Sequence, residues 1–271
     1  MSSEVTLKAI AGFRLVTHAP ERLAAFYRAV GFVVGEAAPI LTEEMGVLGL
    51  QGGGFRRTMT LGLSRVDLDV FDHPGRGYPA GGTACDLFFQ HLALVTSDIE
   101  ADWRRARVAG ATPISRTGPV QLPKSAGGVI AIKFRDPEGH PLEFLQFPRG
   151  SNADWPGTGA MGIDHSAICV ADVAASQRFY ASHGLCEEQR SLNHGPTQTA
   201  LDGLDDVAVD VAPLKPAIQP PHLELLSYRH PTGVSGGGLF ANDVAATRIV
   251  WRSGQEGLLR DPDGHLHQFT R

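Results

Sequence analysis

The spacing of apolar residues along this chain switches repeatedly between the period of a strand and that of a helix. Three segments make the switch in the same form: GFRLVTHAPERLAAFYRAVGF from Gly12, QHLALVTSDIEADWRRARVAGA from Gln90 and DHSAICVADVAASQRFYASHGL from Asp164. Each opens with a strand-like run, passes a helix-start signal and continues as an amphipathic helix that stops at glycine. Pro20 suits a first helical turn, Asp98 and Asp172 suit N-caps, and Gly31, Gly110 and Gly184 suit the C-terminal ends. Leu23, Phe26 and Tyr27 fall on one helical stripe, as do Val173, Phe179 and Tyr180, and the two tyrosines are read as core packing.

Short strands follow each predicted helix. RRTMTLGLSRVDLDVFD predicts a hairpin around Gly62 to Arg65, and DDVAVDVAPL and PHLELLSY close the third unit. IKFRDPEGHPLEFLQF and LLRDPDGHLHQF share R-D-P-acid-G-H between apolar runs, which predicts a tight turn and a hairpin. His140 and His265 follow the turn glycines and are expected at the solvent-exposed turn. The order strand, helix, about three strands thus occurs three times, over residues 8–72, 87–147 and 161–229. A fourth unit, 240–271, has an opening strand, AATRIVWRS, and a closing hairpin with no room for a helix between them. The chain reads as α+β, built from repeated βαβββ modules, three complete and a fourth truncated. The turn-rich stretch PRGSNADWPGTGAMG divides it into an N-terminal domain, 1–150, and a C-terminal domain, 160–271. The truncated module leaves a sheet face or edge less covered, which predicts a homodimer contact there.

Composition narrows the function. The 271 residues are 42% hydrophobic with a net charge of −5, and no basic run is present, which argues against nucleic acid as a partner. Apolar runs are of strand length, too short to span a membrane, and MSSEVTLKAI lacks the features of a signal peptide. Cys85, Cys169 and Cys186 include no CxxC pair, so reduced thiols and a cytoplasmic location are expected. QGGGFRR lacks the Lys-Ser/Thr ending of a phosphate-binding loop.

The chemistry lies on alternating strand positions. His165, Ala167 and Cys169 share one face of their strand, and His91, Ala93 and Val95 share one face of theirs, with larger aliphatics opposite. Glu143 and Glu224 each sit between apolar residues of a closing strand, where a lone carboxylate is costly to bury. Two histidines and two glutamates facing one cavity would offer imidazole and carboxylate to a divalent metal such as Zn, Ni, Fe, Co or Mn. His194, in LNHGPTQTALDG, and Arg248 are candidate substrate contacts.

The βαβββ repeats, IDHSAICVAD with FYASHGL, and FRDPEGHPLEFLQ make the chain resemble the vicinal oxygen chelate superfamily, the glyoxalase/bleomycin-resistance/dioxygenase group, over nearly its whole length. The resemblance implies glyoxalase-like domains in which modules pair into cup-shaped half-barrels, with ligands from the first and last strands of each. By position, the second module offers His91 and Glu143 and the third His165 and Glu224. The first has Phe13 and Asp67 at these places, and the fourth Arg248 and Gln268. If the second module pairs with the third, one full His-Glu-His-Glu site forms, and Asp67 and Arg248 are free to pair as ions in the other cup. If sequential modules pair, the set is split. The first pairing is favoured because it explains where the ligand types survive. The resemblance then implies a divalent-metal-dependent lyase or isomerase acting on a small substrate with vicinal oxygens, with Glu143 or Glu224 as general base. An extradiol-type ring-cleaving dioxygenase and a metal-free small-molecule binding or resistance protein are the alternatives.

Overall fold

The structure, a computed structural model, describes residues 5–270, so the first residues of the N-terminal stretch inspected for a leader lie outside it. The first module contains β1 (Ala9–Val16), α1 (Pro20–Ala29), β2 (Val33–Pro39), α2 (Thr42–Val47), β3 (Gly54–Leu61) and β4 (Ser64–Phe71). The second contains β5 (Gln90–Thr96), α3 (Ile99–Val108), β6 (Thr112–Pro113), β7 (Val120–Gln121), β8 (Ile130–Arg135) and β9 (Pro141–Gln146). The third contains β10 (Ala160–Cys169), α4 (Val173–Ser182), β11 (Cys186–Glu187), β12 (Ser191–His194), α5 (Gly195–Asp202), β13 (Ala208–Lys215) and β14 (His222–His230). The fourth has β15 (Arg248–Arg252), β16 (Gly257–Arg260) and β17 (Leu266–Thr270), with no helix. Local signals act as the sequence suggests. Asp98 accepts from the Ala101 amide and Asp172 from the Ala174 and Ala175 amides, Pro20 opens α1, and Gly184 takes a φ of 89° beyond α4.

Two sheets form. One runs β16-β17-β15-β1-β4-β3-β2 and joins the first module to the fourth through the antiparallel pair β1–β15. The other has β5 and β10 at its centre, antiparallel, and joins the second module to the third. Residues 1–150 and 160–271 therefore each contribute one module to each sheet. The convex faces share one core with α1, α3 and α4, in which Phe13, Leu68, Leu92, Ile168, Tyr27, Trp103 and Trp251 are buried together.

Sequential modules are held by the R-D-P-acid-G-H turns, and here the structure corrects the expectation that His140 and His265 are exposed. Both are buried. His140 lies 2.8 Å from Asp136 through Nδ1 and 3.0 Å from the Val16 carbonyl through Nε2, at the end of β1. His265 reaches the Cys169 carbonyl at 2.9 Å, at the end of β10. The helix tyrosines complete these joints: Tyr27 donates to Asp136 at 3.2 Å and Tyr180 to Asp261 at 2.9 Å. Asp136 also accepts three backbone amides of its own turn. Burial lowers the His140 pKa, but Asp136 and Glu138 outweigh it and hold it above the usual imidazole value.

The face of the helix-less fourth module is covered, while β16 remains an edge strand of its sheet. Trp251 and Ile249 are fully buried. Trp251 donates to His267, whose Nε2 lies 2.9 Å from the Tyr180 hydroxyl of α4. Leu7, ahead of β1, packs into the same core.

The first sheet's cup is filled by charge. Arg14, opposite Arg248 in the β1–β15 register, contacts Glu44 of α2. Arg56 makes paired bonds to Glu44 and to Asp69, and Gln268 donates to Glu44 at 2.8 Å. Arg248 pairs with Asp69, which Arg56 also holds, while Asp67 pairs with Arg65 at 2.9 Å. The register also corrects the placement of Phe13. Asp67 pairs with Arg14 as Glu143 pairs with Ala93 and Glu224 with Ala167. Two residues earlier stand Gly12, His91 and His165. β1 and β10 carry the same bulge, at Ile10/Gly12 and at Ile163/His165, so Gly12 stands where His165 does; Phe13 turns to the core, and a Cβ on Gly12 would lie 2.8 Å from the Arg65 carbonyl.

Two outcomes follow. His140→Ala leaves the Val16 carbonyl without its ring partner and Asp136 Oδ2 with Tyr27 alone, and should cost about 2 kcal/mol in denaturant unfolding. Burial pushes the Glu44 carboxyl up, but Arg56 and Arg14 prevail and hold it at about 2, below the ordinary 4.5. Its contribution is therefore present above pH 4.5 and lost as pH falls toward 2, and Glu44→Gln should flatten that part of the stability profile.

Candidate metal centre

The second sheet brings all four expected residues into one cup. In the β5–β10 register His91 lies opposite Ala167 and His165 opposite Ala93. Each histidine thus faces a small residue across the seam, and both rings lean into the same space, with centroids 5.6 Å apart. The parallel pairs β5–β9 and β10–β14 put Glu143 beside Ala93 and Glu224 beside Ala167. His91 Nε2 lies 3.0 Å from Glu143 Oε2, and His165 Nε2 lies 3.8 Å from the same oxygen and 3.5 Å from Glu224 Oε2. His91, Glu143 and His165 form the tight group, and Glu224 joins it through His165.

Among the described residues, neither ring nitrogen of His91 has a partner in hydrogen-bonding geometry, although the residue is buried. Buried polar atoms are seldom left so. A donor set of two imidazoles and two carboxylates, with lone pairs converging, matches what a borderline divalent cation takes. The residues fit the metal their types suggest.

Neighbouring groups orient the set. His165 Nδ1 lies 3.0 Å from Asp164 Oδ2, which favours the proton on Nδ1 and leaves Nε2 to the cup. Trp155 Nε1 donates to the other Asp164 oxygen at 3.0 Å. His222, paired in register with His165, approaches Glu224 at 3.5 Å. Burial works against charge throughout. It lowers the His91 pKa, and Glu143 only partly offsets this. For His165, Glu224 and Asp164 overcome burial and raise the value to about 9. Burial raises Glu143 and Glu224, yet the histidines hold both below the usual carboxylate range, Glu224 at about 2.

The cup is a cavity of about 230 Å³, with apolar walls from Leu122, Val129, Leu145, Phe147 and Leu226. Short α5 borders it with Gln198 and Leu201. Lys133, absent from the sequence reading, also lines it. It stands opposite Glu143 in the β8–β9 register and donates to Asp202 of α5 at 2.6 Å. Asp202 further accepts from Gln198 and Tyr228. The signal for Lys133 was one polar residue in the apolar run AIKF, the same signal that exposed Glu143. Asp164 and His222 lacked such a mark, being neighbours of residues already chosen.

The two proposed substrate contacts are not brought here. His194 is exposed, because strand alternation turns Ser191 and Asn193 to the cavity and Leu192 and His194 away. Arg248 is fully buried in the other sheet, bound to Asp69.

No family model matches the chain, and no curated protein matches it. Solved structures do. Glyoxalase I from Zea mays superimposes with a TM-score of 0.63 at 14% identity, covering 97% of this chain and 92% of its own. A glutamate-to-glutamine mutant of that protein gives 0.65 at 15% identity, over 97% and 93%. A "putative dioxygenase" from Bacillus subtilis subsp. subtilis str. 168 gives 0.57 at 12% identity, over 98% and 85%. The chain has the fold of the glyoxalase and dioxygenase proteins, the vicinal oxygen chelate fold, with four modules in two sheets.

Lys133→Met leaves Asp202 buried without its cation and should lower unfolding stability by about 3 kcal/mol. Lys133→Met with Asp202→Asn should recover part of that loss, measured by denaturant titration of both variants.

Proposed function

We propose that the cup on the second sheet holds one divalent metal ion through His91, Glu143, His165 and Glu224. On this reading the protein is a lyase or isomerase acting on a small substrate with vicinal oxygens. The observation that carries the reading is the convergence of these four side chains in a buried cup where the His91 nitrogens have no other partner. The likeness in fold to a glyoxalase I supports it.

A bound Zn, Ni, Fe, Co or Mn ion would act as a Lewis acid toward two neighbouring oxygens of a hydroxycarbonyl compound. The chain's own residues do the rest. Asp164 holds His165 so that Nε2 faces the cup. Glu224, the least tightly grouped of the four and partly open to the cavity, would serve as the general base, taking a carbon-bound proton and returning it to a neighbouring carbon or oxygen. Glu143, closer to both histidines, stays in place. Leu122, Val129, Leu145 and Phe147 keep water from the site, and a cavity of about 230 Å³ restricts the substrate to a small molecule.

One observation favours a second reading. The tight group His91, Glu143 and His165 is two histidines and one carboxylate, the set used by open-site iron oxygenases. With Glu224 outside the coordination, ring cleavage of a catechol becomes the reaction. Oxygen uptake with catechol by the iron-loaded protein, set against isomerisation of a hydroxycarbonyl compound under nitrogen, separates the two.

Elemental analysis of the purified protein should find a single equivalent of metal per chain. The His91→Ala/His165→Ala pair should lose it while keeping its far-ultraviolet circular dichroism. Unchanged stoichiometric metal in that pair would rule out this site. Full fold and small-molecule binding after chelation, with no metal in the native protein, would instead mark a binding module.

A further inference from the structure

A larger cavity, of about 650 Å³, lies apart from the cup and shares no lining residue with it. Its walls are β1, the turn between β3 and β4, the linker leading into β10, and residues 218–221. The walls are held in place by close fits. A Cβ on Gly162 would lie 2.7 Å from the Trp155 ring, so the glycine is what lets the indole seat there. A Cβ on Gly62 would lie 2.1 Å from the Met161 carbonyl, which brings the β3–β4 turn against the start of β10. Ser64 Oγ accepts from the Ile163 amide at 2.9 Å across the same junction. Trp155 is pinned by its bond to Asp164.

The lining is apolar with a cationic excess. Ile10, Leu63, Trp155, Met161, Ile218 and Pro220 supply hydrophobic surface. Leu63 and Ile218 are 106% and 61% exposed, so two of the chain's bare aliphatic side chains border one opening. The charged lining residues are Arg65, Arg252 and Asp154. Arg65 is held by Asp67 at the cavity edge, whereas the exposed Arg252 has no ion-pair partner among the described residues. The volume falls in the range of small-molecule sites, about 300–1,000 Å³.

We propose that this cavity binds an apolar organic anion, a carboxylate or sulfonate on an aromatic or branched aliphatic body. The body packs on Trp155, Leu63 and Ile218, and the anionic group meets Arg252. This site does not depend on the metal reading of the cup.

The test uses anilinonaphthalene sulfonate as the probe on the full-length protein. Binding should saturate at a single site, with energy transfer from tryptophan to the bound dye that Trp155→Phe reduces. Trp251, opposite Ile10 in the β1–β15 register, lies behind the cavity wall and supplies the remaining transfer. Arg252→Glu should raise the dissociation constant about tenfold, and Arg252→Lys should restore most of it. Leu63→Glu, on an exposed turn where folding is not at risk, should weaken binding likewise. Dye binding that does not saturate, or that is equal in the wild type, Arg252→Glu and Leu63→Glu, overturns the proposal. Energy transfer that is undiminished in a folded Trp155→Phe protein overturns it as well.

Discussion

The antiparallel pairing of β5 with β10 is the constraint on which the site depends. Its register sets each histidine opposite an alanine of the other strand and places each glutamate beside one of those alanines. The arrangement is a local two-fold, so one seam gathers four side chains from two modules. A slip of one residue would turn both histidines into the shared core and bring Leu92 and Ser166 into the cup. The shared core opposes such a slip, because Leu92, Leu94 and Ile168 are held in it against the helices.

The first sheet repeats that geometry with a different outcome. Arg14 faces Arg248 where Ala167 faces His91. Two buried cations across a seam need counter-charges, and Glu44 and Asp67 beside Arg14 and Asp69 beside Arg248 supply them. Both cups are bordered by a short helix inserted after the module's first helix: α2 brings Glu44, Met45 and Leu48 into one, and α5 brings Gln198 and Leu201 to the rim of the other. In the first, ionic pairing and apolar packing occupy the space. In the second, Lys133 and Asp202 satisfy each other beside the histidines and leave a cavity. One scaffold thus carries a filled cup and an open one, and the difference lies in a handful of lining residues.

Much of this was legible in the chain because strand and helix periods are local. The repeats, the caps at Asp98 and Asp172, the turn Asp136–His140 and the facing of His91, His165, Glu143 and Glu224 all follow from short-range spacing. What escaped was set by distant partners. His140 and His265 look like turn residues, and only the neighbouring module's carbonyls explain their burial. Phe13 was set one position out of register, because a glycine, Gly12, holds the histidine position and carries no signal of its own. The helices α2 and α5 are six and eight residues long, too short to show a helical period, and α2 contains a glycine. Arg248 was assigned a partner by homologous position, whereas its actual partner, Asp69, stands two residues further along the same strand.

The four modules close into a ring, with sheets joining the first to the fourth and the second to the third, and buried turns joining sequential modules. The ring gives the β5–β10 seam little freedom, and so fixes the distance between His91 and His165. X-ray absorption of the cobalt- or zinc-loaded protein tests this account most directly. Two imidazoles with carboxylate oxygens around the metal are predicted, falling to one imidazole in His91→Ala. A spectrum with no imidazole, or one unchanged by His91→Ala, would contradict it.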